Sequence, residues 1–106
     1  MTPAQPHILV VGAGALGLTC AYHLRLAGAQ ISFLVRPHRV AALSRPQTLF
    51  HCNDHGLNTL ADYRVLTDTA KLKGQRFDFV LLTLDGATCR SEQGVATLRA
   101  LGAALA

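Results

Sequence analysis

Three glycines near the start of the chain have a spacing that can bind phosphate. Gly12, Gly14 and Gly17 form a G-x-G-x-x-G pattern. In such a pattern the first glycine permits a tight turn, the second lets the backbone approach a pyrophosphate, and the third lets a helix pack closely on a strand. The free N–H groups and the positive dipole end at the start of that helix attract anions. The pattern predicts a dinucleotide-binding turn made of Gly12, Ala13, Gly14, Ala15, Leu16 and Gly17.

The elements around the glycines decide how much this pattern means, because a glycine turn can also have a purely structural use. The apolar run I-L-V-V before the turn predicts a buried strand at residues 7–11. A helix is predicted at residues 16–27, with Gly28 as its terminator and with Leu16, Cys20, Leu24 and Ala27 on its packed face. A second strand at residues 31–35 implies a right-handed parallel crossover. This strand–turn–helix–strand order favours the interpretation of the glycines as a dinucleotide-binding turn. It predicts an α/β fold, a Rossmann-like parallel sheet with flanking helices.

The rest of the chain supplies further elements of such a fold. Pro37 can start a short helix that ends near Leu43. Short strands are predicted at residues 48–51 and 63–66, around a turn at residues 53–56. A helical turn is predicted at residues 68–73, and the run F-D-F-V-L-L-T-L predicts a buried strand at residues 77–84. Ser91 is a suitable N-cap for a last helix at residues 92–105, weakened at Gly102.

The residue at the end of the second strand indicates which dinucleotide is bound. An acid at this position bonds the ribose hydroxyls of NAD, whereas an arginine accommodates the 2′-phosphate of NADP. The position is held by Arg36, and Arg39 follows it closely. Both guanidinium groups can donate charge-assisted hydrogen bonds to a 2′-phosphate. The alternative is that Arg36 only solvates the end of the strand. The sequence predicts NADP as the cofactor.

Composition and charge limit the other classes of function. Residues 1–53 contain four arginines and no acid, whereas residues 54–106 contain six acids and six bases. A basic excess beside a phosphate-binding turn suggests a small, phosphate-rich ligand. Nucleic acid is not expected as a partner, because the chain has no Lys/Arg run with interleaved aromatic residues.

Neither a membrane nor a metal ion is expected as a partner. The apolar runs are too short to span a bilayer, and no signal peptide is evident at the N-terminus. Three widely spaced cysteines without a C-x-x-C pair fit a reducing compartment, so we expect a cytoplasmic protein. Residues 51–55, H-C-N-D-H, contain metal-capable side chains but lack a second ligand cluster, so a solvated turn is the better interpretation.

The length of the chain bears on its domain organisation. At 106 residues it is one domain, and a complete dinucleotide fold normally has about six strands. The sequence therefore predicts the N-terminal part of a larger protein or a shortened version of one. An incomplete sheet would leave an apolar edge, which is a site of possible self-association.

Several of these stretches resemble one known family. The run I-L-V-V-G-A-G-A-L-G, the strand ending V-R-P-x-R and the later D-F-V-L-L-T-L are similar to the N-terminal domain of ketopantoate reductase, 2-dehydropantoate 2-reductase. The resemblance implies NADPH-dependent reduction of a 2-keto acid, 2-dehydropantoate, in pantothenate synthesis. It implies that the glycine turn holds the pyrophosphate, that Arg36 holds the 2′-phosphate, and that Leu84, at the end of the matching strand, contacts the cofactor.

The chain also departs from that family. The resemblance implies a lysine directly after the strand that Leu84 ends, and Asp85 stands there instead; an acid beside bound phosphates is unfavourable through like-charge repulsion. The family's helical C-terminal domain, with its catalytic lysine and acid, has no counterpart in these residues, so no catalytic residue is predicted and the keto acid would need that missing domain. Two alternatives stay open: a non-catalytic NADP-binding or interaction module, and a related reductase acting on another 2-keto acid.

Overall fold

Four parallel strands form the central sheet of the protein. The structure is a computed structural model that describes residues 5–51 and 56–105, without the side chains of residues 50 and 51. The strands are β1 (His7–Val11), β2 (Gln30–Leu34), β5 (Tyr63–Leu66) and β6 (Phe79–Leu82). They lie in the order β5-β2-β1-β6, so β1 is central and pairs with both β2 and β6. The predicted α/β, Rossmann-like class is confirmed.

Helix α1 (Ala15–Leu26) covers one face of this sheet. The predicted packed face is correct for Leu24, which packs against the core, but wrong for Leu16, which is 63% exposed, and for Ala27, which is also exposed. The buried positions of the helix are Gly17 and Ala21. Small residues four positions apart lie on the same side of the helix and let its axis approach the strands closely. The side that faces the sheet is therefore centred on Gly17 and Ala21, each one position after a residue of the predicted face. The helix ends as predicted before Gly28, which has a φ of +100°.

Helices lie on both sides of the sheet, and the sheet separates two apolar clusters. On the α1 side, Ile8, Val10, Ile31 and Phe33 form the larger cluster. On the opposite side, Leu9, Val11 and Leu34 pack with Leu72 from a short 3-10 turn (Thr69–Leu72) and with Leu101 from α4 (Glu92–Leu105). The strands bury alternate side chains on opposite faces, which explains their continuous apolar sequences.

A separate two-stranded antiparallel sheet packs beside α1. Strand β3 (Gln47–His51) pairs with β4 (Gly56–Leu60). Strand β4 was not predicted from the sequence. Residues 48–51 and 63–66, predicted as short strands around one turn, do not pair with each other, since β5 joins the main sheet parallel to β2. Asp62, with a φ of +60°, makes the sharp change of direction between β4 and β5. The predicted turn at residues 53–56 and the H-C-N-D-H stretch fall almost entirely outside the described residues.

The remaining short helices connect these strands. A 3-10 turn (Pro37–Arg39) and α2 (Val40–Leu43) follow β2, as predicted for residues 37–43. The turn Thr69–Leu72 matches the prediction at residues 68–73. Helix α3 (Gly86–Arg90) was not predicted, and it precedes α4. No helix in the described parts of the chain is both long and apolar enough to cross a membrane.

Strand β6 is shorter and more exposed than its sequence suggested. It covers four residues, and Phe79, Val80 and Leu82 are 65%, 40% and 46% exposed. The expectation of a buried strand is therefore wrong for these side chains. The cause is the position of β6 at an edge of the sheet, where β1 is its only strand neighbour among the described residues.

Candidate functional site

A cleft of about 700 Å³ opens at the carboxyl ends of the four parallel strands. Its walls include the glycine turn after β1, the residues after β2, β5 and β6, and one side of α4. From the central strand β1 the chain leads to β2 on one side, and β6 lies on the other side. Ligands of open α/β sheets bind where the strand order changes direction in this way. The position of the cleft therefore indicates a binding site.

The three glycines of the turn meet different surroundings. Gly12 has a φ of +101°, and a Cβ there would lie 2.9 Å from Thr83 Oγ1 and 3.1 Å from Leu84 Cδ2. A Cβ on Gly17 would strike the carbonyl oxygen of Gly12. A Cβ on Gly14 would meet no atom of the described residues within 4 Å. The first and third glycines thus permit the close turn, and the second leaves open space where a phosphate group can approach.

The start of α1 offers N–H groups to this open space. Gly14 is the N-cap residue, in extended conformation, and no side chain caps the helix. The first turn of the helix contains no acid. The first N–H groups of a helix lack intrahelical partners, and the helix dipole is positive there. The turn and the helix start together form a cradle suited to a pyrophosphate.

Basic side chains follow β2 at one end of the cleft. Arg36 is exposed and lines the cleft, and its guanidinium makes no hydrogen bond or ion pair with the described residues. Arg39 is half-buried, and its Nη2 donates a hydrogen bond of 2.8 Å to the carbonyl oxygen of Ala13. One guanidinium is thus held against the glycine turn, and the other is available to a ligand. His38, between them, also lines the cleft.

The residues after β6 form the wall below the glycine turn. Leu84 lines the cleft and packs against the apolar cluster of Leu9 and Val11. Thr83 lies closer to the turn: its hydroxyl is 2.9 Å from the carbonyl oxygen of Val11 and 3.2 Å from that of Gly12. These contacts attach the end of β6 to the turn that follows β1.

Asp85 caps helix α3, which explains its presence at the cleft. Its Oδ1 accepts a hydrogen bond of 2.6 Å from the backbone N–H of Thr88. Hydrogen bonds from the backbone and the side chain of Thr88 lower the pKa of the Asp85 carboxyl below its usual value. The carboxyl is therefore charged in the folded protein at neutral pH, and it faces solvent at the edge of the cleft.

A second carboxylate lies after β5 and is engaged in the same way. Asp68 lines the cleft and accepts a hydrogen bond of 2.9 Å from the N–H of Ala70. Across the cleft, α4 presents small residues, among them Gly94, Thr97 and Ala100. The cleft therefore combines a basic end near Arg36 with carboxylates that already cap short helices.

A family comparison matches most of the chain. The family described as "Ketopantoate reductase PanE/ApbA" matches residues 8–89, from β1 through most of α3. The chain belongs to the ketopantoate reductase family. The members of this family are oxidoreductases that use a nicotinamide dinucleotide, and the Rossmann-like fold is the one that binds such a cofactor. Neither the curated proteins nor the solved structures include a significant match to the chain.

The geometry of this ketopantoate reductase domain suits a nicotinamide dinucleotide. The cleft has the open space at Gly14 and the close packing at Gly12 and Gly17 that a bound pyrophosphate requires. Of the residues predicted to bind the cofactor, those that line the cleft are Gly12, Ala13, Gly14, Arg36, Arg39 and Leu84. Ala15, Leu16 and Gly17 belong to the first turn of α1 and do not line it. No group of three or more metal-capable side chains occurs among the described residues.

Two features of the site were missed by the sequence analysis. The first is Thr83, whose only signal was its position as the first polar residue after the apolar run of β6. The second is the hydrogen bond from Arg39 to Ala13, which joins residues 26 positions apart. Neither contact follows from a local pattern, because both depend on how β1, β2 and β6 align in the sheet.

Proposed function

We propose that this chain is the NADP(H)-binding domain of an oxidoreductase that reduces a 2-keto acid, with 2-dehydropantoate as the substrate that its family suggests. The observation that carries the proposal is the combination of an open phosphate cradle at Gly14 with the free guanidinium of Arg36 in the same cleft. When bound, NADPH supplies the hydride for the keto carbon. The residues of this chain bind and orient the nucleotide.

The glycine turn holds the pyrophosphate in this proposal. The N–H groups at the start of α1 donate to the phosphate oxygens, and the helix dipole favours their negative charge. Gly12 and Gly17 contribute by their lack of a side chain, because a Cβ on either would collide with Thr83 or with the turn itself. Leu84 offers an apolar surface beside the turn.

Arg36 selects NADP over NAD. It lies two residues after the end of β2, at the position beside the adenosine ribose in this type of fold. Its guanidinium can make two parallel hydrogen bonds with a 2′-phosphate, and a charge-assisted hydrogen bond contributes about 1.5–3 kcal/mol. The guanidinium of Arg39, fixed by Ala13, retains further N–H donors for the same phosphate. We therefore expect at least a roughly tenfold preference for NADPH.

The decisive experiment is a fluorescence titration of NADPH and NADH against the purified chain and its Arg36→Asp variant. The expected result is tighter binding of NADPH by the natural chain and loss or reversal of that preference in the variant. Arg76→Asp is a matched control, since Arg76 is exposed and lies before β6, away from the cleft. Equal affinity for both nucleotides in all three proteins would overturn the assignment of Arg36.

A second candidate is a nucleotide-binding module without catalytic activity. It is favoured by the lining of the cleft, which among the described residues contains Asp68 and Asp85 but no lysine. Incubation of the chain with NADPH and 2-dehydropantoate distinguishes the two. Turnover, seen as loss of NADPH absorbance, would exclude the non-catalytic module. Binding without turnover at high protein concentration would support it.

A further inference from the structure

Two carbonyl groups of the glycine turn are held by side chains from outside the glycine motif. The hydroxyl of Thr83 lies 3.2 Å from the carbonyl oxygen of Gly12 and 2.9 Å from that of Val11, and its single proton is shared between them. The Val11 oxygen also accepts a hydrogen bond of 3.0 Å from the backbone N–H of Thr83. The guanidinium of Arg39 donates to the carbonyl oxygen of Ala13 at 2.8 Å. Consecutive peptide groups of the turn are thus restrained from two directions, by the end of β6 and by the segment after β2.

The orientation of these carbonyls fixes the direction of two N–H groups. All peptide bonds of the described residues are trans, and the C=O and N–H of a trans peptide point in opposite directions. A Gly12 carbonyl turned toward Thr83 therefore turns the N–H of Ala13 away from it. In the same way, an Ala13 carbonyl turned toward Arg39 directs the N–H of Gly14 away from Arg39.

These two N–H groups have no acceptor of their own. Neither Ala13 nor Gly14 donates a backbone hydrogen bond to any acceptor in the described part of the chain. Both residues line the cleft, at the point where a side chain on Gly14 would meet only open space. Two adjacent N–H donors facing an open space form a site for an anion.

We propose that Thr83 and Arg39 are positioning residues for the pyrophosphate. By binding the carbonyl oxygens of Gly12 and Ala13, they direct the N–H groups of Ala13 and Gly14 to the phosphate oxygens. This inference rests on the proposed nucleotide function and adds residues that act through the turn. Without the two restraints, either peptide group can rotate and present a carbonyl oxygen to the phosphate, which repels it.

Thr83 offers the sharper test, since its hydroxyl can be removed at nearly constant volume. Thr83→Val replaces the hydroxyl by a methyl group and leaves no donor for the Gly12 carbonyl. Thr83→Ser retains the hydroxyl and removes only the methyl group. Arg39→Gln removes the charge and shortens the side chain, and it tests the second restraint independently. Thr48→Val is the matched control, because Thr48 is an exposed threonine of β3 outside the cleft.

The probe is ADP-ribose, which contains the pyrophosphate but no 2′-phosphate, so that Arg36 does not dominate its binding. Affinity is measured by calorimetry, and the Ala13 and Gly14 amides are followed in ¹H–¹⁵N spectra. In the natural chain and in the Thr83→Ser and Thr48→Val variants, we expect ADP-ribose to bind and to shift the two amide signals strongly. In Thr83→Val and Arg39→Gln we expect affinity about tenfold lower, as for the loss of one charged-acceptor hydrogen bond, and smaller amide shifts.

The outcomes separate this inference from the proposed function. If the natural chain binds neither ADP-ribose nor NADPH, the proposed function fails and the inference fails with it. If the natural chain binds and folded Thr83→Val binds equally well with the same amide shifts, only the inference fails. If Thr83→Val does not fold, Thr83→Ser and Arg39→Gln decide: normal binding by the first and weakened binding by the second support the inference, and any other pair overturns it.

Discussion

The three glycines of the turn have separate physical roles, although the motif treats them alike. Gly12 requires a positive φ, Gly17 lies against the carbonyl of Gly12, and Gly14 has ordinary dihedral angles and empty space beside it. The fold therefore requires glycine at the first two positions. It does not require glycine at position 14, because no described residue occupies the place of the missing side chain.

A pair of alanine substitutions tests this division. Gly17→Ala brings a Cβ against the Gly12 carbonyl and Thr83, so we expect it to destabilise the fold by about 1–3 kcal/mol and to abolish nucleotide binding. Gly14→Ala leaves the melting temperature nearly unchanged, but its methyl group reduces NADPH affinity about tenfold or more. Thermal unfolding and NADPH titration of both variants check this. Natural NADPH affinity in Gly14→Ala would contradict the phosphate cradle.

At the level of elements, local signals were sufficient for some parts of the fold and insufficient for others. Strand β1, helix α1 and strand β2 follow one another within thirty residues, and each has its own periodicity and terminator. Strands β4 and β5 were harder, because a short strand does not reveal whether it pairs with its neighbour in sequence or with β2. The nonlocal pairing of β5 with β2 decides this, through a sharp turn at Asp62.

The same limit applies to the site. Glycine spacing and Arg36 after β2 were sufficient to place the cleft, since parallel strands bring their carboxyl ends together. Asp85 was interpreted from the sequence only as a charge near phosphates. Its role as a helix cap could be recognised only once α3 was known. This helix has five residues, of which Gly86, Thr88 and Cys89 have weak helix propensity. The hydrogen bond from Thr88 to the N-cap residue Asp85, rather than the composition of the five residues, marks where this helix begins.

Asp85 gives a pH-dependent prediction for α3. The folded protein lowers the pKa of this carboxyl from its usual value of 3.8, so its contribution to stability is full above that value and is lost as the pH falls through the lower folded pKa. Asp85→Asn retains a capping oxygen without titrating. We expect the two proteins to unfold similarly at neutral pH and the natural chain to lose stability relative to the variant in strong acid. Parallel unfolding curves at every pH would contradict this.

At the scale of the whole molecule, the two edges of the main sheet differ. Strand β5 forms one edge and has exposed polar residues such as Arg64. Strand β6 forms the other edge and exposes Phe79, Val80 and Leu82. An exposed apolar edge strand with free backbone donors and acceptors is a template for pairing with another chain, whereas a charged edge discourages it.

We therefore expect the 106-residue chain to self-associate through β6. Sedimentation velocity over a range of concentrations should show species larger than a monomer, and Phe79→Lys with Leu82→Lys should shift them to the monomer. Leu57→Lys is the matched control, since Leu57 is 74% exposed but lies on β4, outside the main sheet. A monomer at all concentrations of the natural chain would exclude this association.

The central position of β1 has a consequence for how the protein is made. Strand β1 is synthesised before the other strands of the main sheet, yet its second neighbour β6 begins only at Phe79, 68 positions after Val11. At a synthesis rate of about 5–20 residues per second, β1 waits roughly 3–14 s for β6 with one of its edges unpaired. Of the four strands of the main sheet, the one translated first is therefore among the last to be enclosed. During this interval the unpaired edge of β1 is open to pairing with other chains.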